Sequence, residues 1–251
     1  MGLKPQYTKP RYKLFGRFLE LAIATADIAA SVQFYERLGF AQVPANDAWS
    51  HRYGVLTDGR IHIGLHEREM PSPSLCFVLP ELVQARARLT AARFEPEFSR
   101  LGEDELHQLR LRDPAGFPIL LLEARTYSPA APPPRGESIC GYFSHLSMPE
   151  SDFGGARAFW ERAGFVALEE VDQPYPHMPL TSDRLDLAFH APRLFDAPLL
   201  VFECGDWTQQ RAHLDAAGIA LSQQLPRGQD RQRSGLIEAP EGTMLWMIGA
   251  V

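Results

Sequence analysis

Cysteine is scarce in this 251-residue chain: Cys76, Cys140 and Cys204 are widely spaced and form no CxxC pair. An odd, scattered set excludes a disulfide framework and a zinc knuckle, and leaves reduced thiols acting as small buried hydrophobes. Long apolar runs are missing too. Nothing approaches the roughly 20 residues needed to cross a bilayer, and the N-terminus carries no signal-peptide h-region, so we expect a cytoplasmic protein with no membrane partner. Charge of one sign is nowhere concentrated: 25 Lys and Arg against 31 Asp and Glu leave a net charge of -6. Without a basic stripe there is no footprint for nucleic acid.

What the chain does have is repetition. Phe34-Tyr35-Glu36-Arg37-Leu38-Gly39-Phe40 recurs as Phe159-Trp160-Glu161-Arg162-Ala163-Gly164-Phe165. At nearly the same offset Asp27 pairs with Asp152, Glu20 with His145, and Arg60-Ile61-His62-Ile63 with Arg184-Leu185-Asp186-Leu187. Asp113-Pro114-Ala115-Gly116 pairs likewise with Ala239-Pro240-Glu241-Gly242. The chain is a tandem duplication. Between the copies, Tyr127 to Gly136 holds Pro129, Pro132, Pro133 and Pro134 and almost no large apolar group, which reads as a semi-rigid linker. The expected organisation is an N-terminal arm (1–14), a first domain (15–126), a linker (127–138) and a second domain (139–251), each domain large enough to bury its own core.

Within the first copy the periodicity predicts a strand from Phe18 to Ala24 and a helix capped by Asp27 and ended at Gly39. Short strands follow over Ala41 to Pro44, His51 to Leu56 and Ile61 to His66. The pattern then repeats, with a strand Leu75 to Leu79, a helix Glu81 to Ala92, and strands Phe94 to Phe98, Leu106 to Arg112 and Phe117 to Glu123. The second copy follows suit from Tyr142 to Ile248. Phe34, Tyr35, Phe159 and Trp160 are expected to pack helix against sheet.

These motifs together resemble the vicinal oxygen chelate superfamily, the group containing glyoxalase I, bleomycin- and fosfomycin-resistance proteins and extradiol dioxygenases. The resemblance covers residues 17–124 and 141–249. It implies an α+β protein of four βαβββ modules, paired into two glyoxalase-like domains whose curved mixed sheets enclose pockets, with helices on the convex side. In metal-dependent members four pocket positions hold the metal. The resemblance maps these onto Glu20, His62, Ser74 and Leu120 in the first domain, and onto His145, Asp186, Leu199 and Trp246 in the second. Each set keeps two donors, which is short of the three or four protein ligands a catalytic metal takes. His66 and His190 lie four residues beyond the retained donors, about 13 Å along a strand, too far to complete either set. No metal or other cofactor is therefore expected, a divalent ion in an atypical site being the alternative.

Strand alternation orients the same residues independently. It sets Leu19, Leu21 and Ile23 against Phe18, Glu20 and Ala22, and Ile61 and Ile63 against His62, Gly64 and His66. In the second copy Leu185, Leu187 and Phe189 oppose Asp186, Ala188 and His190. Glu20 with His62, and His145 with Asp186, then form acid–imidazole pairs on concave faces, joined in the second domain by Trp246, Met244, Phe143 and Glu203. His51, His107, His177 and His213 read as surface or structural residues, and Tyr175-Pro176-His177-Met178-Pro179 as a Pro-stiffened candidate for a pocket rim.

The expected function is metal-independent small-molecule binding, by sequestration or sensing, in a pocket of His145, Asp186 and Trp246, with Glu20 and His62 forming a weaker second site. The rival is a lyase, isomerase or dioxygenase using an atypical metal or the His145–Asp186 pair as acid and base. A third reading fills both pockets with side chains. A monomer or homodimer is expected, since four modules in one chain can close both pockets internally.

Overall fold

The computed structural model describes residues 14–44, 49–124 and 138–249; the expected arm and linker, apart from Leu14 and Ser138, lie outside them. The first half runs β1 (Arg17–Ala24), α1 (Ile28–Arg37), β2 (Ala41–Val43), β3 (Tyr53–Thr57), β4 (His62–His66), β5 (Ser74–Leu79), α2 (Leu82–Ala91), β6 (Phe98–Arg100), β7 (Gln108–Arg112) and β8 (Pro118–Glu123). The second runs β9 (Tyr142–Pro149), α3 (Phe153–Ala163), β10 (Val166–Ala167), β11 (Met178–Thr181), β12 (Leu187–His190), β13 (Leu199–Cys204), α4 (Trp207–Ala216), β14 (Ser234–Glu238) and β15 (Met244–Gly249).

Each half forms one mixed sheet, of order β2-β3-β4-β1-β5-β8-β7-β6 and β10-β11-β12-β9-β13-β15-β14. In both, two βαβββ modules meet where the first strand of one runs antiparallel to the first strand of the other. The fourth module carries two strands after its helix rather than three. Local signals act as expected: the Asp27 and Asp152 side chains cap α1 and α3 by accepting from Ala30 and Gly155 N–H groups, both at 3.0 Å. Gly164, with φ 108°, ends α3 in the left-handed conformation that a residue without Cβ adopts freely.

Two expectations fail for identifiable reasons. Alternation along β1 and β9 is broken by a bulge in each. Phe18 faces Phe77 while Glu20 faces Cys76, so Leu19 is supernumerary; Phe143 faces Phe202 while His145 faces Val201, so Ser144 is. Phe18 and Phe143 therefore turn under the helices with Leu21 and Leu146, and Leu19 turns to the concave face. The strand expected over Phe94 to Phe98 begins only at Phe98. Arg93 takes a left-handed turn (φ 62°), and Phe94 is buried with its ring 4.9 Å from Phe15 and 5.0 Å from Phe159.

The helix-side core is shared by both halves instead of being built separately in each. It runs without a break from Leu21, Ile63 and Leu121 to Trp160, Leu187 and Met247. The repeated motifs lock the halves together: Ser31 and Tyr35 of α1 donate to the Glu241 carboxylate at 2.8 and 2.7 Å, in the turn before β15. In the matching turn of the first half Asp113 lies near Trp160, the counterpart of Tyr35, but Trp160 Nε1 and Asp113 Oδ2 are both buried without a hydrogen-bond partner among the described residues. Burial raises the Asp113 pKa to about 6, opposed by the Phe117 backbone N–H and the Trp160 indole. The three cysteines are free and buried, and no helix among the described residues is long and apolar enough to cross a membrane.

Candidate functional site

Equivalent residues cross the centre of each concave face in one row. Glu20 stands beside Cys76 and Cys76 beside Leu120; in the second half His145 stands beside Val201 and Val201 beside Trp246. On the first face Glu20 is 1% exposed and receives two hydrogen bonds. The Tyr53 hydroxyl donates to Oε2, and His66 Nε2–H donates to Oε1 at 3.2 Å. The other ring nitrogen of His66 lies 2.9 Å from His51 Nε2, extending the chain to Tyr53–Glu20–His66–His51. Gly64 makes room for it, because a Cβ there would run into the Glu20 carboxylate. Burial, then His66 and Arg68, lower the His51 pKa. Trp49 lies edge-on to His66, with ring centroids 5.1 Å apart.

Beside this chain the face encloses a cavity of about 260 Å³, lined by Trp49, His66, Arg68, Met70, Pro71, Ser74, Phe98, Arg100, Gln108, Arg110 and Leu120. Strands β7 and β8 bring Arg110 and Leu120 side by side, and β6 adds Phe98 opposite Arg110. The Ser74 hydroxyl, in the cavity wall, donates to the Pro71 carbonyl at 2.5 Å.

The second face is filled. Trp246 is fully buried among Leu199, Val201, Leu236 and Met244, and Tyr175 packs against it with ring centroids 4.8 Å apart. Tyr175 stacks on His177 at 4.3 Å, and His177 stacks on His145 at 5.3 Å. The bond pattern fixes the His145 tautomer. The Ser144 hydroxyl donates to Glu203 at 2.8 Å, so Ser144 accepts from His145 Nδ1–H at 3.1 Å, leaving Nε2 to accept the Tyr175 hydroxyl at 2.5 Å. Burial, with His177 and His190 adding to it, lowers the His145 pKa to about 3, and burial lowers that of His190 to about 4. Burial likewise raises the Tyr175 pKa. These rings are neutral packing groups. His190 donates to the Phe195 carbonyl at 2.9 Å and accepts from Ser147 at 2.7 Å.

The residues singled out from sequence are regrouped accordingly. His145 and Trp246 do share one face; the Asp186 carbonyl accepts from the Leu146 N–H beside His145, but no hydrogen bond joins its carboxylate to His145 or Trp246. Asp186 is exposed, accepts from Thr181 Oγ1 at 2.6 Å, and lines an open groove with Tyr142, Ser144 and Glu203. Glu20 is bonded by His66 rather than His62, whose own pKa is lowered by burial against the opposing pull of Glu20. His51 and His177, read as surface or structural histidines, belong to the two central clusters. The recurrence of His66 as His190 at the repeat offset was a legible signal for the first of these.

A family-type metal does not fit. Among the described residues no group of three or more His, Cys, Asp and Glu side chains could hold an ion. Each Glu20 oxygen already accepts a hydrogen bond, from Tyr53 or His66, and the one free lone pair of His145 accepts from Tyr175; Leu120, Leu199 and Trp246 offer none.

Solved structures share the architecture. A catechol 2,3-dioxygenase superposes with a TM-score of 0.60 at 16% identity, covering 93% of this chain and 87% of that one. The 2,3-dioxygenase LapB from Pseudomonas sp. KL28 gives 0.59 at 17% identity, covering 93% and 92%. A mutant of homoprotocatechuate 2,3-dioxygenase from Brevibacterium fuscum gives 0.60 at 18%, covering 94% and 71%. The chain thus shares the fold of these dioxygenases, a likeness of fold alone. No family model and no curated protein matches the sequence.

Proposed function

We propose that this chain binds a small molecule, without a family-type metal centre, in the concave cavity of its first domain. The site moves from the second domain, where the sequence pointed, to the first. One observation carries the reading: at the same place in the strand row, the first half has Leu120 beside a cavity of about 260 Å³ and the second has a fully buried Trp246. A partly enclosed hollow with an apolar wall and a few convergent polar groups is the usual form of a ligand site. We keep the cytoplasmic location as part of this reading.

The test is to give the first half the plug of the second. Leu120→Trp is expected to abolish binding of small fragments, followed by calorimetry, while thermal unfolding stays cooperative. Dialysis against a chelator should leave wild-type binding unchanged. Fragments that bind Leu120→Trp as tightly as wild type, or whose binding disappears with the chelator, would refute the proposal.

One observation favours the enzyme reading instead. The carboxylate of Glu20 orients His66 and, through it, His51, which is the arrangement of a metal-free proton relay. Following the same titrations for chemical change in the fragment decides between storage and turnover.

A further inference from the structure

We infer that the cavity takes a flat organic acid, with its carboxylate at an arginine-lined mouth; this rests on the proposed site and adds the class of its ligand. Arg68, Arg100 and Arg110 all line the cavity. The carboxylates that answer them fall short. Glu97 accepts from Arg110 Nε at 2.6 Å but is shared with Arg112 at 3.0 Å, and Glu105 stands 3.8 Å from Arg100 Nε. Arg68 has no carboxylate partner among the described residues.

A neutral ligand would leave this surplus positive charge unanswered, and a cation would add to it. A carboxylate instead matches the planar fork of a guanidinium. Inside a partly enclosed hollow the pairing is screened less than on open surface.

The shape of the ligand follows from the rest of the wall. Trp49 stands at one side and the exposed ring of Phe98 at the other, with the Arg110 and Arg100 guanidinium carbons 5.4 and 5.9 Å from its centroid. Met70, Pro71 and Leu120 supply apolar surface between them. A hollow of about 260 Å³ lies at the small end of ligand pockets, room for one ring and its substituent.

Calorimetry of the full chain with benzoate, benzamide and benzylamine tests the inference. Benzoate is expected to bind at least about tenfold tighter than benzamide, benzylamine not at all, and added salt should weaken benzoate alone. Arg68→Gln and Arg100→Gln, each checked by thermal unfolding, should bring the benzoate-to-benzamide ratio down towards one. Benzoate binding no tighter than benzamide, or no benzoate binding, overturns the inference. If benzamide then binds wild type but not Leu120→Trp, the site stands and only the acid is wrong. Benzoate that binds Leu120→Trp as tightly as wild type overturns both.

Discussion

The two concave faces are built on one strand plan and differ in what stands on it. In the first, Glu20 is tied to Tyr53 and His66, and Leu120 leaves a hollow; in the second, His145 is tied to Tyr175, and Trp246 leaves none. The segment leading into the third strand of each half supplies the partner rings, Trp49, His51 and Tyr53 in one and Tyr175 and His177 in the other. In the second half that segment closes onto an indole and becomes core. One side chain's volume at one strand position thus separates a face with a hollow from a packed one, while the carboxylate or imidazole beside it is hydrogen-bonded in both.

The sharpest way to break the comparison is to remove the plug. Trp246→Ala is expected to cost about 3–5 kcal/mol, the usual loss for truncating a fully buried aromatic, and to open a hollow under Tyr175. Leu120→Ala, at the edge of an existing cavity, should lose less than half as much. Urea unfolding of both variants provides the measurement. A loss below about 1 kcal/mol for Trp246→Ala would mean that Tyr175 collapses into the gap, and the second face would not be rigidly filled.

Much of the architecture could be read from the sequence because its signals are local. The Asp27 and Asp152 caps, the Gly39 and Gly164 helix ends and the strand–helix alternation are each set by a few neighbouring residues. The bulge in β1 was hidden because Phe18 and Leu19 are both apolar, so a period of two survives either assignment. The site was less legible for a related reason. Matching residues to the family's metal positions drew attention to His62 and Asp186, whereas Glu20 reaches over Gly64 to His66, a direction that no spacing rule encodes. Trp246 stands in one row with Val201 and His145, but whether an indole there plugs or binds depends on Tyr175, which joins it from another segment.

Acid provides the second test, aimed at the neutral imidazoles of the filled face. His145 and His190 have folded-state pKa values of about 3 and about 4, below the ordinary 6.5. Between pH 6.5 and about 4 the unfolded chain therefore binds protons that the folded one refuses. Their contribution is complete above pH 6.5 and falls as pH drops, by up to about 1.4 kcal/mol per pH unit for each proton. Asp113, raised to about 6, acts in the opposite sense: the folded chain takes up its proton before the unfolded chain does, so its share of stability grows as pH falls. Asp113→Asn removes that offset. Its urea midpoint is expected to fall more steeply between pH 7 and pH 5.5 than that of wild type. A midpoint in Asp113→Asn that holds level or rises with acid would show that the second face accepts charge.

The smallest effect is expected at an exposed residue that the sequence offered as part of the site. Asp186 is exposed, and its carboxylate is bonded to Thr181 rather than to His145 or Trp246. Asp186→Ala forfeits one exposed hydrogen bond, worth no more than about 0.5 kcal/mol in an open groove, and leaves no buried group unpaired. Fragment binding in the first half should be unaltered, since no atom of Asp186 reaches that cavity. Loss of binding in Asp186→Ala, measured beside Leu120→Trp, would return the site to the second face and show that the groove of Tyr142, Ser144 and Glu203, rather than the hollow beside Leu120, receives the ligand.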